Sequence, residues 1–177
     1  VMDYIPGKDL DQLIKQEGRQ LPGKVLDWAN QLGSALTYMH HQSPPVIHRD
    51  IKPGNIKLSA DGQAVLVDFG IAKAATPDQA TATSLRGYTP GFAPPEQYGW
   101  GHTGPLSDQY SFAATLYTLL SGQKPAEAIQ RVLGQAVLTP LNVLNPDLSP
   151  GLAEVLERGL AIKPEDRYTD VGAFVGA

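Results

Sequence analysis

A mainly α-helical domain with one small β-hairpin is the fold class these 177 residues predict, and three observations carry it. Val25, Ala29, Leu32, Leu36 and Met39 recur at intervals of four and three, which is one face of a helix. A second run, Phe112, Leu116, Leu119 and Leu120 up to Gly122, is apolar or small nearly all round and reads as a buried helix. Between them, Ile56-Lys57-Leu58 and Ala64-Val65-Leu66-Val67 flank the turn Asp61-Gly62, which makes a hairpin.

The remaining elements follow in chain order. Val1 to Ile5 is strand-like and closed by Pro6-Gly7; Asp9 then caps a short helix carrying Leu10, Leu13 and Ile14, and Gly18 ends it. The helix of the first stripe spans Pro22 to His41, with His40 and His41 placed to complement its dipole. Val46-Ile47 is a strand stub. From Ile71 to Phe92 the periodicity vanishes, which predicts a long functional loop. The buried helix is expected to start at Ser107 or Asp108, either of which suits an N-cap. A loop-rich stretch with a short helix near Ala126 to Leu133 leads to a helix begun by Ser149-Pro150 and stopped by Lys163-Pro164, and a last helix follows Thr169.

Composition narrows the function classes. A hydrophobic share of 42% with 18% charged residues is that of an ordinary globular protein, and a net charge of −4 without a Lys/Arg block offers nucleic acid no footprint. The absence of cysteine removes disulfides and thiolate metal sites and fits a reducing compartment. The four histidines lack zinc-like spacing, and no run of about eighteen apolar residues predicts a membrane span. The opening at Val1, without an initiator methionine, leads us to expect a fragment whose upstream part holds half of an active site.

The stretch from His48 to Asn55 concentrates the polar chemistry. Asp50 offers an acceptor for a hydroxyl proton, Lys52 a positive charge two residues on, and Asn55 a neutral oxygen for a Mg²⁺ shell, with Pro53 and Gly54 bending the backbone between. Asp68 leaves the second hairpin strand at its open end, so Asn55 and Asp68 flank one hairpin, a reasonable pair of Mg²⁺ ligands. The competing reading is a polar surface turn before a strand.

In order, the chain shows His48-Arg49-Asp50-Ile51-Lys52-Pro53-Gly54-Asn55, Asp68-Phe69-Gly70, Pro94-Pro95-Glu96, Asp108 at a buried helix, and Arg167 near the end. This series resembles the large, C-terminal lobe of eukaryotic-like serine/threonine protein kinases of the bacterial type. The resemblance implies residues 1–7 as the end of an N-lobe strand and hinge and 8–177 as the C-lobe, with catalytic loop 48–55 and activation segment 68–96. It implies ATP-dependent transfer to Ser/Thr hydroxyls of protein substrates, with ATP and Mg²⁺ as cofactors. Asp50, Lys52, Asn55 and Thr89 would be catalytic, Thr89 by bridging Asp50 and Lys52; Asn55 and Asp68 would hold metal. Met2 matches the gatekeeper; Asp3 and Ile5 would meet adenine, Asp9 the ribose, Lys52 the phosphate, and Lys57 the adenine floor. Arg49 would grip a phosphate on Thr81, Thr83 or Ser84. Glu96 and Arg167 would form a buried ion pair, and Asp108 would hold the catalytic-loop backbone or act as a plain N-cap.

Three positions depart from the family pattern: Pro94 in the Ala-Pro-Glu motif, Ala113 where glycine is usual, and Lys57 where the strand is usually apolar. No residue matches the small lobe's phosphate-covering Gly-rich loop, its lysine or its glutamate. The chain alone is therefore expected to be inactive, and to be cytoplasmic unless anchored through residues outside it. Two other readings compete, a pseudokinase-like interaction module and a small-molecule kinase of the aminoglycoside or choline type. The first has no need of Asp50, Lys52, Asn55 and Asp68 together, and the second generally lacks the Pro95-Glu96 closure.

Overall fold

Local capping chemistry sets the first helices. In a computed structural model, which describes residues 7–68, 73–74 (backbone only), 88–99 and 101–177, α1 runs Leu10–Glu17 between a reciprocal Asp9/Gln12 capping box and Gly18 at φ 76°. Helix α2, Pro22–His40, begins with proline in its first turn and buries Val25, Trp28, Ala29, Leu32, Gly33 and Leu36. Each fully buried leucine of that stripe stabilises by roughly 2 kcal/mol.

Helix α3, Pro105–Ser121, is the centre of the molecule: every residue from Ser107 to Ser121 is buried. Four of its hydroxyls are satisfied within the helix. Ser111, Thr115, Thr118 and Ser121 each donate to the carbonyl four residues back, at 3.1, 2.9, 2.7 and 2.7 Å. The helix starts ahead of the expected Ser107/Asp108 cap. Gly104 is the N-cap, and its N–H is accepted by Ser107 Oγ at 3.1 Å, so Ser107 and Asp108 lie inside the helix with side chains available for tertiary bonds.

Helices α4 (Ala128–Val132) and α5 (Leu141–Leu144) follow; the first shortens the expected 126–133 helix, and the second, one turn long, has no periodic signal. Helix α6, Pro150–Gly159, is capped by Ser149 as expected but ends ahead of Lys163-Pro164. Helix α7, Val171–Gly176, is capped by Asp170. Close approaches lock these helices to the centre. A Cβ on Gly33 would lie 2.6 Å from Val175 Cγ2, and one on Gly159 2.8 Å from Ala113 Cβ. The second contact explains how alanine is tolerated at 113: α6 supplies the missing room with Gly159.

Among the described residues there are four short strands. β2 (Ile56–Leu58) and β3 (Ala64–Leu66) form the expected hairpin, with Ile56 opposite Leu66. β1 (Val46–Ile47) pairs antiparallel with β4 (Lys73–Ala74), which falls where the sequence predicts only loop. A two-residue strand leaves no alternation to detect, and its pairing partners lie 26 and 28 positions away. Among the described residues, no helix is long and apolar enough to cross a membrane.

Candidate active site

The loop after β1 alternates anchors and functional groups. Ile47, His48, Ile51, Pro53, Asn55 and Ile56 are buried, while Asp50 and Lys52 on either side of Ile51 keep partial exposure. Turning Ile51 into the core brings its two polar neighbours out together. Lys52 Nζ lies 2.7 Å from Asp50 Oδ2 and donates to Thr89 Oγ1 at 3.0 Å, while Thr89 Oγ1 donates to Asp50 Oδ1 at 2.8 Å. The triangle is closed. Thr89 reaches it because Phe92 N and Ala93 N both donate to the Thr89 carbonyl, forming a tight turn around Pro90 and Gly91.

Asn55 supports Asp50 from the other side. Its Nδ2 donates to the Asp50 carbonyl at 2.8 Å and to Asp50 Oδ2 at 2.9 Å, which orients Asn55 Oδ1 away as the atom available to a cation. Val67 N donates to the Asn55 carbonyl at 2.9 Å, holding Asp68 beside that residue. Asp68 is exposed at φ 65° and has no hydrogen bond or ion pair among the described residues. One carboxylate and one amide oxygen left unspent by packing are a donor set that fits Mg²⁺, with water and phosphate filling the rest.

Asp108 holds the backbone ahead of Asp50. Its Oδ1 accepts Arg49 N and its Oδ2 accepts His48 N, both at 2.8 Å, and His40 Nε2 lies 2.9 Å from Oδ2. Of the two roles open to Asp108, the catalytic-loop bond is the one it performs. The sequence places His40 to complement the helix dipole; it does lie in the last turn of α2, and it is packed there against Asp108 with its side chain 7% exposed. The available signal was its position eight residues after Leu32 and four after Leu36, on the buried stripe. His41, by contrast, stays exposed and lies 2.7 Å from the Thr37 carbonyl through Nδ1.

His48 is fully buried, and burial lowers its pKa from 6.5 against the opposing pull of Asp108 and the Val67 carbonyl. A neutral ring serves two of its contacts, Nδ1 accepting Asp50 N at 3.3 Å and Nε2 donating to the Val67 carbonyl at 3.3 Å. Arg49 adopts φ 69°, an uncommon region for a residue with a side chain. Its carbonyl accepts Gln97 Nε2 at 2.7 Å, a contact with no sequence signal beyond adjacency to Glu96, and its Nε is buried with no hydrogen-bond partner among the described residues.

Pro95–Tyr98 forms a 3₁₀ turn that fixes Glu96, entered through Pro94 at φ −74°, ψ 163°. That extended geometry is what a residue before proline needs, so proline at 94 costs the motif nothing. Arg167 Nη1 and Nη2 donate to Glu96 Oε1 and Oε2 at 2.8 and 3.1 Å, Ser107 Oγ donates to Oε1 at 2.9 Å, and the guanidinium stacks 5.0 Å from the Tyr110 ring. Nearby, the Tyr98 ring sits 4.3 Å from Tyr88, and burial first, then Glu127, pushes the Tyr98 phenol up to about 12.

The structure thus gathers Asp50, Lys52, Asn55, Thr89, Arg49 and Asp108 around one point, with Asp68 one residue from the Val67–Asn55 bond. Asp9 caps α1, its Oδ1 accepting Gln12 N at 2.8 Å, and its backbone bridges Lys57 on β2. Met2, Asp3, Ile5, Phe69, Gly70, Thr81, Thr83 and Ser84 lie outside the described residues.

The Protein kinase domain family matches residues 1–174. Serine/threonine-protein kinase PknA of Mycobacterium tuberculosis is 35% identical over 179 residues, spanning 100% of this chain and 41% of that protein. PknE of the same organism is 36% identical over 181 residues, spanning 99% of this chain and 31% of that protein. The solved structure described as PpkA-294 apo form superposes with a TM-score of 0.79 at 30% identity, over 98% of this chain and 60% of that one. The chain therefore spans less than half the length of these curated relatives.

Proposed function

The chain belongs to the protein kinase family, and from that premise we propose that it carries the acceptor-binding half of a site transferring phosphate from ATP to serine or threonine hydroxyls of proteins. Protein kinases use ATP and Mg²⁺, the metal neutralising charge on the phosphates when bound. The closed triangle of Asp50, Lys52 and Thr89 carries the reading. Asp50 Oδ2 is occupied by Lys52 and Asn55, whereas among the described residues Oδ1 accepts from Thr89 alone, which leaves a lone pair for the acceptor hydroxyl. In this reading the hydroxyl proton passes to Asp50 as the phosphoryl group moves to the acceptor oxygen and ADP departs, with Lys52 meeting the transferred phosphate. Asn55 Oδ1 and Asp68 would hold Mg²⁺. A loose transition state asks little basicity of Asp50, so a buttressed carboxylate suffices.

Nucleotide contacts belong to the same proposal: Asp3 and Ile5 toward adenine, Lys57 beneath it, and Asp9 toward the ribose through the oxygen its cap leaves over. Residues 1–7 then act as hinge, 8–177 as large lobe, and a small lobe supplied by a longer protein covers the phosphates, so that the chain alone is inactive. The need for ATP places the reaction in the cytoplasm. The buried Nε of Arg49, with no hydrogen-bond partner among the described residues, supports a phosphate-sensing role toward Thr81, Thr83 or Ser84. Mass spectrometry of an active preparation that found all three unmodified would reject it. For the main reading, a protein joining this chain to a small kinase lobe should phosphorylate Ser/Thr peptides, and Asp50→Ala should reduce that transfer at least about 100-fold. Normal turnover by Asp50→Ala would overturn the assignment.

A further inference from the structure

The kinase reading leaves Gln97 without a role. It occupies the 3₁₀ turn directly after Glu96, which Arg167 and Ser107 fix to the helical core. From that fixed point its Nε2 reaches the Arg49 carbonyl at 2.7 Å. That carbonyl belongs to the peptide joining Arg49 to Asp50, so its orientation sets where the Asp50 backbone stands. The peptide also needs holding, because Arg49 at φ 69° occupies a conformation that a side-chain-bearing residue rarely adopts. Asp108 clamps the N–H side of Arg49 at 2.8 Å, and Gln97 clamps its carbonyl side.

We propose that Gln97 is a positioning residue for the phosphotransfer reaction, transmitting the fixed end of the activation segment to Asp50 through the Arg49 carbonyl. Neighbouring side chains divide the labour: Glu96 ties the segment to α3 and Arg167, and Gln97 ties it to the catalytic loop. The contact requires a donor. Methionine has similar length and no N–H; glutamate has the same shape but sets a carboxylate against a carbonyl oxygen.

The inference rests on the proposed kinase function, and the test separates the two. In the two-lobed protein, Gln97→Met should lower kcat about five-fold and Gln97→Glu more than about twenty-fold, with KM for ATP unchanged within about two-fold and the melting midpoint held. Hydrogen exchange of the Asp50 amide, which donates to His48 Nδ1, should accelerate in both variants, a readout independent of activity. Unchanged kcat with unchanged exchange would overturn the inference, as would a parallel fall of kcat and melting midpoint, which marks a merely structural contact. If the unmutated protein transfers no phosphate, the kinase reading fails, and the exchange measurement still decides whether Gln97 holds the loop.

Discussion

Replacing Asp108 by alanine removes the acceptor from both backbone bonds that pin the catalytic loop, His48 N and Arg49 N at 2.8 Å each. Each N–H left without an acceptor in a water-poor site costs about 1–3 kcal/mol, so the pair costs about 4 kcal/mol. Freed from its clamp, Arg49 can relax from φ 69°, which returns about 1–2 kcal/mol. The net loss expected is therefore about 2–3 kcal/mol, a sizeable fraction of a domain's usual stability but short of unfolding it. Asp108→Asn should fall between, since one oxygen remains and its amide faces an N–H. Urea unfolding followed through Trp28, which is 6% exposed and bonded to the Gly62 carbonyl, reports the difference. A loss below about 1 kcal/mol for alanine would refute the reasoning, because the His48 and Arg49 N–H groups would then not depend on Asp108 for their acceptor. In the two-lobed protein the same variant should lower kcat by more than its stability change explains.

Three further outcomes follow from the geometry. Thr89→Ala should reduce phosphotransfer about ten-fold while Thr89→Ser retains most of it, because only the hydroxyl bridges Asp50 and Lys52; equal losses in steady-state kinetics would contradict the bridge. Arg167→Met leaves Glu96 charged and buried and should cost about 3–5 kcal/mol, with urea unfolding as the measurement and a loss under about 1 kcal/mol as the contrary result. His48 has a folded pKa below the unfolded 6.5, so in the window between them the unfolded chain binds a proton that the folded chain does not. Stability should therefore fall as pH drops below about 6.5 and level off below the folded value, and His48→Gln should flatten that slope; parallel pH curves for the two proteins would show that another group is responsible.

Much of this was legible because its causes are local. Asp9 and Ser149 cap the helices they precede, Gly122 ends α3 at φ 74°, and the spacing of Asp50, Lys52 and Asn55 already implied a shared site. What escaped depends on distant partners. The place of His40 on the buried stripe of α2 hints at packing, but its partner, Asp108, lies 68 positions away and only the fold brings it near. β4 exists because Val46 and Ile47 offer it an edge, and two residues cannot carry a period. The start of α3 lies ahead of the expected cap for an instructive reason: Ser107 does serve the helix start, accepting the Gly104 N–H from the third helical position while donating to Glu96, and the Asp108 side chain is taken by the backbone of His48 and Arg49.

That last pair gives α3 a property beyond burial. Ser107 and Asp108 are consecutive, yet one holds the Pro95–Tyr98 turn through Glu96 and the other holds the loop backbone at His48 and Arg49. Each residue of helix adds about 100° of rotation, so inserting or deleting a single residue between Asp108 and Ser121 would swing both side chains off their targets together while leaving the helix itself intact. Indel scanning should therefore find the connection at 101–104 permissive and the body of α3 forbidding. The angular phase of one helix keeps the two halves of the site in register.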